Sequence, residues 1–157
     1  MQTNFILMPT VRLTRVFHFD MAHVLLNYPG KCKNIHGHTY RLEVTVKGVL
    51  CNEEASPKKG MLIDFSDFKN LIQEEIITRW DHALMIHKDS DPILLNVLKK
   101  NYEKIITVPF QPTTENMICE LAAIIKTVLP PDLQLFSLKF CETEKSFAEW
   151  YTFENED

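Results

Sequence analysis

The chain has 157 residues, of which 45% are hydrophobic and 24% charged, and this composition predicts one globular domain spanning residues 1–157. Its 17 basic and 21 acidic residues give a formal net charge of −4, which argues against a nucleic-acid binder because that function needs a basic face. No apolar run approaches the roughly 18–20 residues of a membrane span. The four cysteines are not closely paired in sequence, so we expect reduced thiols in a cytoplasmic protein.

The first third of the chain alternates apolar and polar residues in the way that predicts two β-strands. In residues 11–23 most apolar side chains share one parity. In residues 36–50 the alternation is cleaner, with His36, His38 and Tyr40 on the apolar face. The segment between the two contains Asn, Pro and Gly residues, which are typical of a loop or turn.

Helical periodicity appears twice after residue 60. Asp64 is suited to be the N-cap of a first helix that runs toward Trp80. Thr113 or Thr114 can cap a second helix, which ends where Pro130 and a second proline follow. Both segments have apolar residues at the spacing of one helix face.

The remaining segments complete an α+β pattern. Residues 134–142 and 147–153 are predicted to be strands around a short polar turn. Between the helices, residues 92–100 are compatible with a short helix and residues 104–109 with a short strand. The order β-β-α-α-β-β predicts a four-stranded antiparallel sheet with helices on one face.

The strongest local motif is His36-Gly37-His38. Side chains two apart on a strand point to the same face, so both imidazoles project together from the apolar face. His23 ends the first strand on its apolar parity and can join them if the two strands pair as a hairpin. Three imidazoles without a fourth protein ligand are typical of a catalytic zinc site with an open coordination position. Separate core or surface histidines are the alternative, and spacing alone leaves the two interpretations about equal.

Cys32 lies four residues before His36 and has three candidate roles. It can be a fourth zinc ligand, a thiol held near the metal for acid–base chemistry, or an inert loop residue. A closed site of one cysteine and three histidines would be structural and would exclude the catalytic interpretation.

Two further groups are candidates for chemistry. Asp81 directly precedes His82, and a neighbouring carboxylate raises the basicity of an imidazole, which suits proton transfer. A histidine at a helix C-terminus is also common because it interacts with the helix dipole. Glu142 ends an apolar strand, where its carboxylate could pair with the two N–H groups of a 2-amino-pyrimidinone ring. A surface glutamate at a strand end is at least as good an interpretation on spacing alone.

Taken together, these residues resemble the 6-pyruvoyltetrahydropterin synthase superfamily of tunnelling-fold enzymes. The shared motifs occur in order: FHFDMAH at residues 17–23, Cys32 followed after three residues by HGH, GMLIDF at 60–65, Asp81-His82, PTTEN at 112–116 and CET at 141–143. They cover essentially the whole chain, and their order is far more specific than any single motif. The three residues between the cysteine and HGH resemble the 6-carboxytetrahydropterin synthases of queuosine biosynthesis, since the pyruvoyl enzymes typically have a longer spacing.

The resemblance implies an activity and a role for each candidate residue. A lyase would convert 7,8-dihydroneopterin triphosphate to 6-carboxytetrahydropterin, with release of acetaldehyde and triphosphate. One Zn²⁺ per subunit would make the substrate's side-chain hydroxyls more acidic. The implied metal ligands are His23, His36 and His38, the implied proton relay is Cys32, Asp81 and His82, and the implied pterin contacts are Glu142, Thr113 and Thr114.

The resemblance also implies a ββααββ tunnelling fold whose subunits close into a barrel. The expected assembly is a homo-oligomer, a hexamer made of two trimers, with active sites at subunit interfaces and no nucleic-acid or membrane partner. One alternative is a pyruvoyl-type synthase, which eliminates triphosphate without cleaving the side chain. A remoter alternative is a non-catalytic zinc- or pterin-binding module.

The chain departs from the family pattern in two places. Residues 83–111 form a longer connection than the corresponding one in the family. The stretches DSDPILL and ITVPF account for the additional length. Val24 stands where an arginine often follows the first zinc histidine, so no phosphate-binding residue is assigned.

Overall fold

A computed structural model describes residues 9–155, so residues 1–8 and 156–157 of the predicted domain lie outside the described part. The strands are β1 (Thr10–Val24), β2 (His36–Val49), β3 (Leu84–His87), β4 (Ile105–Val108), β5 (Gln134–Cys141) and β6 (Phe147–Tyr151). The helices are α1 (Phe65–Ile72), α2 (Thr78–Trp80), α3 (Pro92–Asn101) and α4 (Thr114–Val128), with a π-helical segment, Gln73–Ile77, between α1 and α2. All six strands form one sheet in the order β4-β3-β1-β2-β5-β6.

The long antiparallel pair of β1 and β2 is the centre of this sheet, and it confirms the two predicted strands. In its register Phe19 lies opposite Tyr40, and His23 lies opposite His36. Paired residues point to the same face, so the apolar parities of the two strands meet on one side. That side is buried, and the opposite side of β1 is exposed at alternate positions such as His18 and Asp20.

The predicted four-stranded antiparallel sheet needs correction. The pairs β1–β2, β2–β5 and β5–β6 are antiparallel, as expected, but β3 pairs in parallel with β1, and β4 pairs in parallel with β3. They lie in the unusually long connection, where α3 links them as a β-α-β unit, the connection that parallel strands require. The short helix and strand expected over residues 92–100 and 104–109 are confirmed, whereas the four-residue β3 is too short to have a recognisable period.

The helices pack on the buried face and begin where the caps were predicted. Asp64 accepts hydrogen bonds from the backbone N–H groups of Ser66 (2.7 Å) and Asp67 (3.4 Å) at the start of α1. Thr113, rather than Thr114, caps α4 by accepting from Asn116 N–H at 3.3 Å. The buried core between the helices and the sheet includes Phe19, Tyr40, Leu42, Phe68, Ile72, Met117, Leu121 and Phe140. Among the described helices, none combines the length and the apolar character that crossing a bilayer would require.

Candidate active site

Three histidines meet at one end of the β1–β2 pair. His23 and His36 are register partners, and His38 lies opposite Met21 two positions further along. One ring nitrogen from each lies within 4.8 Å of the other two, and the Nε2 atoms of His23 and His36 are 3.1 Å apart. His23 is buried and the other two are half-buried. The hairpin thus brings together the three side chains predicted to be metal ligands.

Backbone carbonyls determine the tautomers of two of these rings. His23 Nδ1 donates to the carbonyl oxygen of Pro112 at 2.7 Å, and His36 Nδ1 donates to that of Asn34 at 2.8 Å. A carbonyl accepts only, so the proton of each neutral ring is on Nδ1 and the Nε2 lone pair faces the centre. Burial lowers the pKa of His23, and this outweighs the opposing effects of the Pro112 carbonyl and Glu142. His23 is therefore a neutral imidazole, the form that binds metals.

Glu142 adds a carboxylate to the same centre. Its Oε1 lies 3.2 Å from His23 Nε2 and 3.4 Å from His38 Nε2, although His38 Nε2 is buried and has no partner in hydrogen-bonding geometry among residues 9–155. The backbone N–H groups of Glu142 and Thr143 both donate to Ser146 O, at 3.0 and 3.2 Å, and this turn sets the direction of the carboxylate.

This donor set fits a divalent cation such as Zn²⁺. The Nε2 atom of His23 lies 3.1 Å from that of His36, and a carboxylate oxygen of Glu142 lies 3.2 and 3.4 Å from the Nε2 atoms of His23 and His38. A cation among these nitrogen and oxygen atoms would stabilise their close approach. Nitrogen ligands oriented by backbone carbonyls are the pattern of protein zinc sites.

A cavity of about 590 Å³ is lined by His23 of the three-histidine cluster. Its volume is in the range of about 300–1,000 Å³ that is usual for small-molecule sites. Its lining includes predicted site residues His23, Cys32, Thr113, Thr114 and Glu142. Among the described residues of this lining, Lys145 is the only Lys or Arg, and it was not one of the predicted site residues. One chain therefore assembles five of the predicted residues around one cavity.

Cys32 lies in a short 3-10 turn, Lys31–Lys33, between β1 and β2. Its carbonyl oxygen accepts from Leu25 N–H at 3.0 Å, which ties the turn to the end of β1. The side chain is half-buried and its thiol is free. The group of ligand atoms within 4.8 Å of one another contains the three histidines and does not include Cys32. This placement favours a thiol beside the centre over a fourth ligand.

Asp81 and His82 lie elsewhere, at the junction between α2 and β3. His82 Nδ1 and Asp81 Oδ1 are 2.9 Å apart, and Asp81 Oδ1 also accepts from Asp20 N–H at 3.0 Å. His82 N–H donates to Asp20 O at 2.6 Å, which holds His82 at a φ of 60° in the left-handed region. Such strain is retained where neighbouring contacts enforce it. The His82 side chain is 74% exposed.

The cavities beside His82 are different from the one beside Cys32. One of about 410 Å³ is lined by Asp20, His38, Thr39 and His82, among others, and a second of about 660 Å³ also includes His82. Neither lining contains Cys32 or Glu142. The structure therefore does not bring the two halves of the predicted proton relay into one cavity of a single chain.

The groups that orient the candidate ligands were not predicted from the sequence. The carbonyls of Asn34 and Pro112 are backbone atoms, which have no signature in residue type. Tyr40 contacts the rings of His38 and His23, and its position on the same strand face as the HGH motif is the signal that could have identified it.

Comparisons with known proteins agree with these features. A family model described as 6-pyruvoyl tetrahydropterin synthase matches residues 12–153. A protein of Haemophilus influenzae named 6-carboxy-5,6,7,8-tetrahydropterin synthase is 38% identical over 143 residues, which cover 88% of this chain and 97% of the relative. A protein of Rickettsia typhi with the same name is 34% identical over 141 residues, covering 88% and 99%.

Solved structures have the same fold. An uncharacterized protein of Wolinella succinogenes superposes with a TM-score of 0.71 at 22% identity, covering 92% of this chain and 99% of that one. The 6-pyruvoyl tetrahydropterin synthase of Caenorhabditis elegans superposes with a TM-score of 0.64 at 25% identity, covering 92% and 96%. The match to the family model spans nearly all of the described residues, and the chain belongs to the 6-pyruvoyl tetrahydropterin synthase family.

Proposed function

We propose that this protein is a zinc-dependent lyase that converts 7,8-dihydroneopterin triphosphate and one water molecule to 6-carboxy-5,6,7,8-tetrahydropterin, acetaldehyde and triphosphate. The observation that carries the proposal is the cluster of His23, His36 and His38 next to a cavity that His23 lines together with Cys32 and Glu142. The names of the Haemophilus and Rickettsia relatives support the carboxy product. The resemblance extends the proposal to queuosine biosynthesis. A cytoplasmic location also belongs to it, and the four free cysteines support that location.

The three histidines, Cys32 and Glu142 each have a chemical task in this proposal. Zn²⁺ held by the three histidines would supply Lewis acidity that makes the substrate's side-chain hydroxyls easier to deprotonate. The Cys32 thiolate accepts a proton from the substrate side chain. The Glu142 carboxylate accepts two hydrogen bonds from the N–H groups of the pterin ring.

The start of α4 completes the contacts to the ring. Thr113 is occupied as the N-cap, so its hydroxyl oxygen already accepts a hydrogen bond from the helix. The first N–H groups of a helix have no partner within it and are free to donate to a ring carbonyl. Thr114, at the first helical position, is therefore proposed to bind the ring through its backbone.

We further infer a homo-oligomer with active sites at subunit interfaces. Cys32 and His82 line different cavities of one chain, so a relay that uses both needs a second copy. Strands β4 and β6 are the two ends of the sheet, so both edges offer backbone groups for pairing between subunits. Barrel closure and a hexamer of two trimers follow from the family resemblance.

The second candidate is a 6-pyruvoyl tetrahydropterin synthase, which would eliminate triphosphate and keep the side-chain carbons. A protein of Dictyostelium discoideum with a name of this kind is 29% identical over 151 residues, and the Caenorhabditis structure has the same activity in its name. The two candidates share a cavity and differ in product.

Product identification tests the proposal. The zinc-loaded protein is incubated with 7,8-dihydroneopterin triphosphate, and the pterin and aldehyde are identified by mass spectrometry, with Glu142→Gln as the matched control for pterin binding. We expect 6-carboxytetrahydropterin with an equal amount of acetaldehyde. A pyruvoyl product without acetaldehyde would assign the second candidate, and zinc binding without turnover would favour the non-catalytic module.

A further inference from the structure

Tyr40 lies directly beside the three histidines and is fully buried, with 0% of its surface exposed. It follows His38 by two residues on β2, so both side chains are on the same face of the sheet. Its ring stands edge-on to that of His38, at 5.6 Å between centroids and 73°, and to that of His23, at 6.2 Å and 83°. These are favourable edge-to-face geometries for aromatic rings.

His38 differs from the other two histidines in what orients its ring. His23 and His36 each donate from Nδ1 to a backbone carbonyl. Within residues 9–155, His38 makes no hydrogen bond through either ring nitrogen, and its buried Nε2 lies 3.4 Å from Glu142 Oε1. A metal-binding histidine is normally oriented by a hydrogen bond at its second nitrogen. Something else must therefore hold this ring.

The Tyr40 ring is itself held rigidly by the core. It stacks almost parallel on Phe140 of β5, at 4.8 Å and 9°, and on Phe19 of β1, at 5.6 Å and 22°. Aromatic rings from β1 and β5, the two strands on either side of β2, thus hold the Tyr40 ring in place. The edge of that ring contacts His38 and fixes its position.

We propose that Tyr40 is the positioning residue of the three-histidine centre and that its ring orients His38 by edge-to-face packing in place of a carbonyl hydrogen bond. The inference rests on the proposed function, because it takes the three histidines as metal ligands. The Tyr40 hydroxyl is buried without a hydrogen-bond partner among the described residues, so the role belongs to the ring.

Zinc affinity of ring-replacement variants tests this assignment. Tyr40→Leu and the more volume-conserving Tyr40→Met remove the ring, and Tyr40→Phe keeps it. The control is Phe68→Leu, which removes an equally buried aromatic ring that has no ring contact with a histidine in the described part of the chain. Zinc dissociation constants are measured by chelator competition, and the visible spectrum of the Co²⁺-loaded protein reports ligand geometry.

We expect zinc binding to weaken about 10- to 100-fold in Tyr40→Leu and Tyr40→Met, the usual effect of losing an outer-shell partner of a metal ligand. The Co²⁺ spectrum should change in both variants. Tyr40→Phe should bind zinc with a dissociation constant within about twofold of wild type. Phe68→Leu should do the same, even if its melting temperature falls as much as those of Tyr40→Leu and Tyr40→Met.

A double-mutant comparison locates the effect on one ligand. Tyr40→Met should no longer weaken zinc binding when His38→Ala is already present, and it should still do so in His36→Ala. Equal zinc affinity in Tyr40→Met and wild type, or equal weakening by Phe68→Leu, would overturn the inference and leave the proposed function intact. A wild-type protein without zinc affinity would instead overturn the proposed centre itself.

Discussion

At the scale of single residues, the candidate site contains histidines suited to bind a metal and a cysteine thiol that lies outside their cluster. His23 is kept neutral because burial lowers its pKa, and its Nδ1 proton is committed to the Pro112 carbonyl. Cys32 lines the same cavity but is outside the cluster of ligand atoms. A neutral ligand and a nearby unbound thiol are the combination that metal-assisted proton transfer needs.

Replacing Cys32 tests this separation. We expect Cys32→Ala to lower turnover by a factor of about 10²–10⁴, the usual contribution of a general base, with one Zn²⁺ per subunit retained. Product formation and zinc content are measured on the same preparation. Cys51→Ala, which removes a half-buried thiol outside the cavity lining, should leave both unchanged. Loss of zinc in Cys32→Ala would show that the thiol is a ligand.

At the scale of elements, Asp81 and His82, in the connection from α2 to β3, form hydrogen bonds to the backbone of Asp20 in β1. Asp81 accepts from the backbone N–H of Asp20, and His82 N–H donates to the carbonyl of Asp20. Burial raises the pKa of Asp81, but the Asp20 N–H and His82 together lower it below its ordinary value. The ionised carboxylate thus stabilises this junction.

The sign of the resulting pH dependence follows from that lowered pKa. A carboxyl whose pKa is lower in the folded than in the unfolded state stabilises the fold above its ordinary value of 3.8, and this contribution disappears as pH falls through the folded value. We expect Asp81→Asn to be less stable than wild type at pH 7, by about 1 kcal/mol or less since the group is partly exposed. The difference in unfolding free energy between wild type and Asp81→Asn should disappear as the pH falls below about 4.

Urea unfolding at pH 7, 5 and 3 measures this difference. Asp89→Asn, a change at an exposed acidic residue just after β3, controls for the general effect of removing one negative charge. A gap between wild type and Asp81→Asn that stays constant with pH would contradict the prediction.

At the scale of the whole molecule, one copy of the chain holds the parts of the proposed relay in separate cavities. Cys32, Glu142 and His23 line one cavity, and His82 lines another together with His38 and Asp20. A relay that uses both sides is complete only where two copies meet, and closed oligomers provide such repeated interfaces.

Mixing two inactive variants tests this arrangement. We expect co-expressed Cys32→Ala and His82→Ala chains to recover roughly a quarter of wild-type activity, because random mixing places an intact Cys32 beside an intact His82 at that fraction of interfaces. Mixing Cys32→Ala with Glu142→Gln is the control and should recover nothing, since those two residues share one chain's cavity. Mixed oligomers, seen by native mass spectrometry, that stay inactive would place the whole relay in one chain.

The sequence by itself determined the features that arise from short-range chemistry. The alternation over residues 36–50, the caps at Asp64 and Thr113, and the HGH spacing depend on neighbours a few positions away. The strand register then places His23 opposite His36, because few registers of these two long strands put both apolar faces on the same side of the sheet. These local rules were sufficient to place the three histidines together.

Only the tertiary structure decided the rest. The parallel pairing of β3 and β4, the orientation of His23 by the Pro112 carbonyl and the clamping of Tyr40 by Phe140 join residues far apart in sequence. Such contacts involve backbone atoms or packing surfaces, and the type of a residue does not predict them. The separation of His82 from Cys32 into different cavities is of the same kind, because it depends on how the chain crosses between strands and not on the spacing of either motif.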